Sequence, residues 1–423
     1  MKSLSYSLKF WLLFLLTEGK TAPEYRRMVD TVLDKFGIKA KVFMFTTDNE
    51  PTMSATFSRS IRNGCLAHLL SNASKTALRK VTKVRKVRAS IRKIALKFNK
   101  SNKFKKAVKR MQKETDGISV RSIHQEISTR FTSTYDMFGS VLQAHEGDFD
   151  ETVAMKNISV INKALQQTVR SREFNKLKIS DDTKTVMFEL YPILSGLEKG
   201  VTLMGGEKFG TGSSVLPFLF KFMKLLAPDD EDRGYIANVK KELKKYLKEN
   251  TATNLNFEGL SCASYLDKRY STLSFLEANR IAAVKKKIKD ELNLLEVIWK
   301  ENRVPEPPRA KRKRVLSIDI DEEDDDEVRN ANVNSQAEKE FNMFELEGKL
   351  DVEGDPFKWW KSREAKYPLL SQLAKKYLCI MGTSTPAERV FSKMGRVLTK
   401  ARMAMSESMF SSLMFLSDCD LYK

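Results

Sequence analysis

Apolar residues recur at two different periods along this chain. From Ser3 to Leu16 the run SLSYSLKFWLLFLL alternates and then becomes continuously apolar, which predicts a buried strand. From Pro23 to Phe36 the period changes. Met28, Val29, Val32, Leu33 and Phe36 fall on one helical stripe that Gly37 ends. Lys41 to Thr46, KVFMFT, predicts a second strand. Strand, helix and strand in about 45 residues make a crossover unit of an α/β sheet. The second strand runs into Thr47-Asp48-Asn49, so Asp48 sits at the carboxyl edge of a sheet, where α/β proteins keep their chemistry. Taken alone, an edge Asp serves equally well as a helix cap.

Beyond Lys75 the pattern is helical. Leu78, Val81, Val84, Val87, Ile91, Ile94, Leu96 and Phe98 recur every three or four positions within a run of Lys and Arg, predicting a basic amphipathic helix or helix pair. Apolar residues at the same spacing predict helices over Thr183–Leu197, Val215–Leu226, Ile236–Leu247 and Leu276–Trp299. The glycine-rich stretch from Gly205 to Gly212 lacks the Gly-Lys-Ser/Thr ending of a phosphate loop and reads as a connector. Near the end, Leu369, Leu370, Leu373, Ala374, Tyr377 and Leu378 share one face of a helix behind Tyr367-Pro368. Ser384 or Thr385 is placed to cap a further helix with Pro386 near its first turn. That helix would bury Val390, Phe391, Met394, Val397 and Leu398, and Leu413, Met414 and Leu416 close a last one. Three wide apolar faces in about 60 residues exceed what one small bundle hides, so they require a sheet or a second copy of the chain to cover them.

Charge changes this picture more than length does. At 423 residues and 41% hydrophobic composition the chain has room for two or three domains with real cores. Its net charge of +21 and pI near 9.6 favour a polyanion partner, most simply nucleic acid. Between Pro51 and Lys113 there is no Asp or Glu at all, so the bases there would repel one another without a counter-anion. Phosphate contacts explain them better than a merely solvated face, and Lys83, Arg85, Lys86 and Arg88 are the residues named for that role. From Asn302 to about Ala337 the composition shifts to Pro305, Pro307 and Pro308, a basic cluster Lys311, Arg312, Lys313 and Arg314, and an acidic run Asp319–Glu327. Such a segment has little to bury, is expected to be disordered, and its basic cluster reads as a nuclear-import signal. The four cysteines are scattered with no Cys-x-x-Cys pair, which predicts reduced thiols and no zinc site built from them. The apolar run near the N-terminus is too short to cross a bilayer and has no small-residue cleavage site, so no membrane partner is expected. No small-molecule substrate is evident.

Several blocks carry a resemblance. Trp360, Tyr367-Pro368-Leu369-Leu370, Leu373-Ala374, Tyr377-Leu378, Thr383-Ser384, Pro386-Ala387-Glu388-Arg389, Phe391-Ser392, Gly395 and Leu413 to Leu416 are similar, in order, to the C-terminal dimerisation region of the hAT (hobo/Activator/Tam) transposase superfamily. The Ser-x-Pro-x-Glu-Arg-x-Phe-Ser core is the specific part. Asp48-Asn49, Met53 and Cys65-Leu66-Ala67-His68-Leu69-Leu70 resemble that family's second catalytic block. Ser128 to Met137 resembles its Thr-Arg-Trp-x-Ser-x-Tyr-x-Met block, with Phe131 in place of Trp, and Tyr265 to Tyr270 its Leu-Asp-Pro-Arg-Tyr element, with Lys268 in place of Pro.

What the resemblance implies is an RNase H-like α/β core, truncated at its N-terminus, interrupted by a large all-α insertion and closed by C-terminal helices. The implied domains are 1–74 as the first part of the core, 75–301 as basic helices and insertion, 302–340 as a charged linker, and 341–423 as the dimerisation region. Asp48 and Glu388 take the roles of catalytic metal ligands, and Cys65, His68, Arg130 and Phe131 lie at the DNA end, Phe131 stacking on an extruded base. Trp360, Leu373, Tyr377, Phe391, Leu413 and Phe415 carry dimerisation. Family members cut DNA with three acids holding two divalent cations. The first acid belongs on a strand earlier than this chain begins, and with two ligands a single Mg²⁺ or Mn²⁺ would be held weakly. The expected function is therefore a nuclear, transposase-derived homodimer or larger assembly that binds DNA and is catalytically incomplete. The alternative is an active hAT DNA transposase whose N-terminus is missing from this chain.

Overall fold

A computed structural model describes residues 21–127, 132–206, 210–302, 335–389 and 409. The strand expected over 3–16, the DNA-end residues Arg130 and Phe131, the basic cluster Lys311, Arg312, Lys313 and Arg314, and the dimerisation residues Phe391, Leu413 and Phe415 lie outside the described residues. What is described is mostly helical, with a single pair of short strands. It divides into two compact units, 1–257 together with 380–423, and 258–379. That division does not fall at residue 74, 301 or 340, because the helices after 75 pack onto the strand-bearing segment and join its unit.

In the first unit, α1 (Ala22–Lys35) starts at a capping box in which the Thr21 N–H donates to Glu24 at 3.0 Å. It buries Met28, Val29, Val32 and Leu33, the expected stripe, and stops before Gly37 at φ 61°. A short 3-10 turn, Lys39–Lys41, then takes the first residue expected for the second strand. β1 is consequently only Phe45–Thr47; α2 (Pro51–Thr56) crosses to β2 (Arg62–Gly64), which lies parallel to β1 with Thr46 opposite Asn63. The crossover seen here thus falls within residues 45–64, one step later than the apolar pattern suggests. Phe45 and Phe57, their ring centroids 4.5 Å apart, join Val29, Leu33 and Met53 beneath it.

α3 (Leu66–Lys80) follows β2 at once and is buried along its length by Leu66, Leu69, Leu70, Ala73, Ala77 and Leu78. α9 (Asp181–Met204) and α11 (Gly234–Asn254) pack on it. The basic run is a helix pair, α4 (Thr82–Lys100) and α5 (Asn102–Glu114), parted at Ser101, whose Oγ caps α5 by accepting from the Phe104 N–H at 3.2 Å. α6 (Ser133–Leu142), α7 (Glu151–Thr168), α8 (Ser171–Leu177) and α10 (Val215–Leu225) are the other helices among this unit's described residues before its C-terminal return. Segment 380–389 brings the chain back. The Met381 carbonyl accepts from Thr46 Oγ1 at 2.9 Å and Asn63 Nδ2 at 3.2 Å, and the Gly382 carbonyl accepts from the Leu66 N–H at 3.0 Å. Gly382 is required by this approach, since a Cβ there would lie 2.7 Å from Val215 Cγ2.

The second unit holds α12 (Phe257–Leu266), α13 (Ala278–Glu301), α14 (Gln336–Leu346), α15 (Pro356–Ser362) and α16 (Leu370–Leu378). Its core is aromatic: Phe344 stacks on Trp360 at 5.5 Å and meets Tyr265 edge-on at 5.4 Å. Trp360 Nε1 donates to the Leu266 carbonyl at 2.8 Å, Leu373 is buried, and the Tyr377 hydroxyl donates to Glu291 at 2.7 Å. These three residues, expected at the dimer interface, are buried in the chain's own core. The apolar face of α16 finds its cover in α13 and α14. Buried Glu340 caps α16, accepting from the Leu369 and Leu370 N–H groups at 3.0 and 2.8 Å. In the Tyr265–Tyr270 element, Arg269 forms an ion pair with buried Asp267 at 2.6 Å, and Lys268 Nζ donates to the Phe344 and Glu347 carbonyls at 2.7 and 2.9 Å.

Candidate functional site

Parallel strands end on the same side, and here the ends of β1 and β2 deliver Asp48 and Cys65 to one place. Cys65 is the residue before α3, which sets His68 on the first turn of that helix. The glycine before it is obligatory. A Cβ on Gly64 would lie 2.1 Å from Asn49 Oδ1 and 2.7 Å from the Asn254 carbonyl oxygen. Arg62 braces the end of β1, donating to the Asp48 carbonyl at 2.6 Å and Thr47 Oγ1 at 2.8 Å. The third contributor comes from more than three hundred residues away. Helical turn 385–389 carries Glu388, whose Oε1 lies 3.6 Å from His68 Nδ1 and accepts from Ser384 Oγ at 3.0 Å.

The donor atoms of Cys65, His68 and Glu388 all lie within 4.8 Å of one another. Cys65 Sγ is 2.9 Å from Thr383 Oγ1 and accepts from the Ser384 N–H at 3.3 Å. Burial pushes the Cys65 thiol up, but its bonds with His68, Ser384 and Thr383 outweigh burial and leave it below its ordinary value. The bond with Cys65 raises His68, burial opposes it, and the negative charges of Cys65, Glu388 and Asp48 carry it above the usual imidazole range. Asp48 Oδ1 is buried and has no hydrogen-bond partner among the described residues. The chemistry of this donor set fits the Mg²⁺ or Mn²⁺ implied by the resemblance poorly. Mg²⁺ asks for oxygen ligands in near-octahedral geometry, and the cluster offers sulfur, nitrogen and one carboxylate.

The bases named for DNA divide into two pairs. Lys83 forms an ion pair with Asp182 at 2.6 Å and Arg88 with Glu126 at 2.7 Å, whereas Arg85 and Lys86 are exposed with no ion pair among the described residues. Farther along, Lys80 pairs with Glu242 and Lys97 with Glu173. The counter-charges missing between Pro51 and Lys113 are thus supplied in part by distant elements of the chain. Arg92, Lys93, Lys100, Lys103 and Lys106 extend the exposed face begun by Arg85 and Lys86. Sequence reasoning also missed a cavity of 380 Å³ lined by Arg121, His124, Tyr135, Asp136, Gly139 and Tyr191, with the Tyr135 and Tyr191 rings stacked at 5.1 Å. Only Tyr135 and Asp136 carried a signal, through the block starting at Ser128.

Two comparisons with known families match. Residues 336–419 match the hAT family C-terminal dimerisation region, and residues 63–179 match the ZBED1 RNase-like helical domain. No curated protein matches the chain. No helix among the described residues is long and apolar enough to cross a membrane. The two matched regions contain Cys65 and His68 in one and Glu388 in the other, the same blocks that carry the resemblance, and both matches are consistent with a likeness to hAT-derived transposases.

Proposed function

We propose that this chain is a transposase-derived nuclear protein that self-associates through its hAT C-terminal region, binds DNA without sequence preference, and lacks a complete acid set for strand transfer. The match of residues 336–419 to a dimerisation region supports self-association. For DNA binding, the observation that carries the reading is the exposed face of Arg85, Lys86, Arg92 and Lys93 on α4, continued by Lys100, Lys103 and Lys106 into α5, on helices whose opposite faces bury Val84, Val87, Ile91, Ile94 and Phe104. The bases that already hold internal carboxylates, Lys83, Arg88 and Lys97, flank this face. The parallel strand pair, with Asp48 at its end and Glu388 beside it, supports reading the segment as part of an RNase H-like core split by helices. Incompleteness is supported by the donors grouped around Glu388, which are a thiol and an imidazole rather than the further carboxylates that two-metal chemistry uses. Nuclear import rests on Lys311, Arg312, Lys313 and Arg314.

The test is duplex-DNA binding by fluorescence anisotropy at several salt concentrations. Replacing Arg85, Lys86, Arg92 and Lys93 by Gln should flatten the log–log salt slope by about three to four units, because each phosphate contact contributes about 0.9. Replacing Lys83 and Arg88 should leave the slope nearly unchanged. Binding that ignores salt, or its absence at low ionic strength, refutes the DNA reading.

A further inference from the structure

We propose that Cys65, His68 and Glu388 form a binding site for a thiophilic divalent ion, of which Zn²⁺ is the representative. This goes beyond the proposed function and does not depend on DNA binding or self-association. The sequence offers no such site: the cysteines are unpaired, and Cys65 and Glu388 are separated by most of the chain. Folding joins them. Segment 380–389 docks on the strand pair through the bonds of Met381 and Gly382, and the turn that follows lays Glu388 against the start of α3.

Geometry and chemistry both favour zinc over magnesium. Around a tetrahedral Zn²⁺ with bonds of about 2.0–2.3 Å, ligand atoms stand about 3.3–3.8 Å apart. His68 Nδ1 and Glu388 Oε1 are already 3.6 Å apart, and all three donors lie within 4.8 Å, so a small contraction about the ion completes the set. One sulfur, one nitrogen and one oxygen match the ligand preference of Zn²⁺ and mismatch that of Mg²⁺. The surroundings already orient the ligands. The Ser384 N–H donates to Cys65 Sγ, Thr383 Oγ1 lies 2.9 Å from the same sulfur, and Ser384 Oγ donates to Glu388. Partners of this kind hold metal ligands in their binding orientation. Cys65 is fully buried while His68 and Glu388 are part exposed, so an ion enters from their side. A fourth position remains for water, as an open zinc site keeps one. An ion seated here would occupy Glu388, the acid that the family resemblance assigns to catalysis.

The experiment uses the full chain stripped of metal. Zn²⁺ is titrated by competition with a chromophoric chelator, and Co²⁺ serves as the spectroscopic probe. We expect one Zn²⁺ per chain, a thiolate-to-cobalt charge-transfer band in the near ultraviolet, and thermal stabilisation by Zn²⁺ that Mg²⁺ at the same concentration does not reproduce. Because removing groups that only orient ligands costs about 10–100-fold in affinity, Cys65→Ser, His68→Gln and Glu388→Gln should each weaken Zn²⁺ by at least about tenfold. Cys65→Ser should also abolish the band, and Cys379→Ser, at an exposed cysteine, should leave it intact. The band and the Zn²⁺ stoichiometry of the unaltered chain need no variant, so a misfolded Cys65→Ser protein does not blunt the test. No bound Zn²⁺, a Co²⁺ complex without the thiolate band, or a band that survives in folded Cys65→Ser overturns the proposal.

Discussion

At the scale of single residues, the tightest constraint is Gly64. A methyl group there meets Asn49 Oδ1 at 2.1 Å and a backbone oxygen of Asn254 at 2.7 Å. Asn49 can swing aside only by releasing the bond its Nδ2 donates to the Cys65 carbonyl at 2.9 Å, and the Asn254 backbone cannot yield as a side chain would. Gly64→Ala should therefore destabilise the first unit by about 1–3 kcal/mol, as overpacking does, and a urea melt will measure it. The same edge governs the chemistry. On the proposed reading, Asp48 and Glu388 hold at most one ion, whereas in-line strand transfer uses two to balance attacking and leaving oxygens. We expect no nicking or joining of transposon-end DNA by this chain, even at high Mn²⁺. Metal-dependent nicking that Glu388→Gln abolishes would instead establish an active transposase.

Among elements, the second unit shows how buried charge is handled. Burial pushes the Glu291 carboxyl on α13 up, but the bonds from Lys376 at 2.8 Å and Tyr377 at 2.7 Å on α16 outweigh it, and its pKa falls below the usual value. A carboxylate whose folded pKa is depressed adds stability that is present above the ordinary glutamate range and lost as pH falls through the folded value. Glu291→Gln should thus cost about 1–3 kcal/mol at neutral pH, the range for bonds to a charged group. It should also reduce the acid sensitivity of the unit, so that wild type and variant converge in melts taken well below that range. A constant gap at every pH would show that the loss is one of packing alone.

For the whole molecule, the expected behaviour is self-association. Sedimentation at micromolar concentration should find a dimer or larger species, and a monomer would remove the reading drawn from residues 336–419. Leu373 is a poor handle on that interface, because only 3% of it is exposed in its own unit. Leu373→Ala should cost about 2–5 kcal/mol, as other large-to-small core changes do, so loss of the oligomer in this variant should track thermal unfolding rather than precede it. A folded, stable and monomeric Leu373→Ala protein would return this residue to the interface.

The periodic parts were legible in the sequence because helical amphipathicity is a local property. α1 and its stop at Gly37, the helicity of the basic run, and the long helices after 180 all fall where apolar spacing puts them. β2 was not legible. Arg62-Asn63-Gly64 has no apolar alternation and is a strand only because Thr46 and Asn63 share the Met381 carbonyl and β1 lies alongside. Nor does local pattern reveal which charges are neutralised, since the acids facing Lys80, Lys83, Arg88 and Lys97 come from Glu242, Asp182, Glu126 and Glu173, far along the chain. The candidate site follows the same rule. The family resemblance marked Asp48, Cys65, His68 and Glu388 one by one, through motifs. Only tertiary structure placed His68 and Glu388 3.6 Å apart and surrounded the thiol with Thr383 and Ser384, because contacts between residues more than three hundred positions apart depend on how the chain returns to its own start, which no local period encodes.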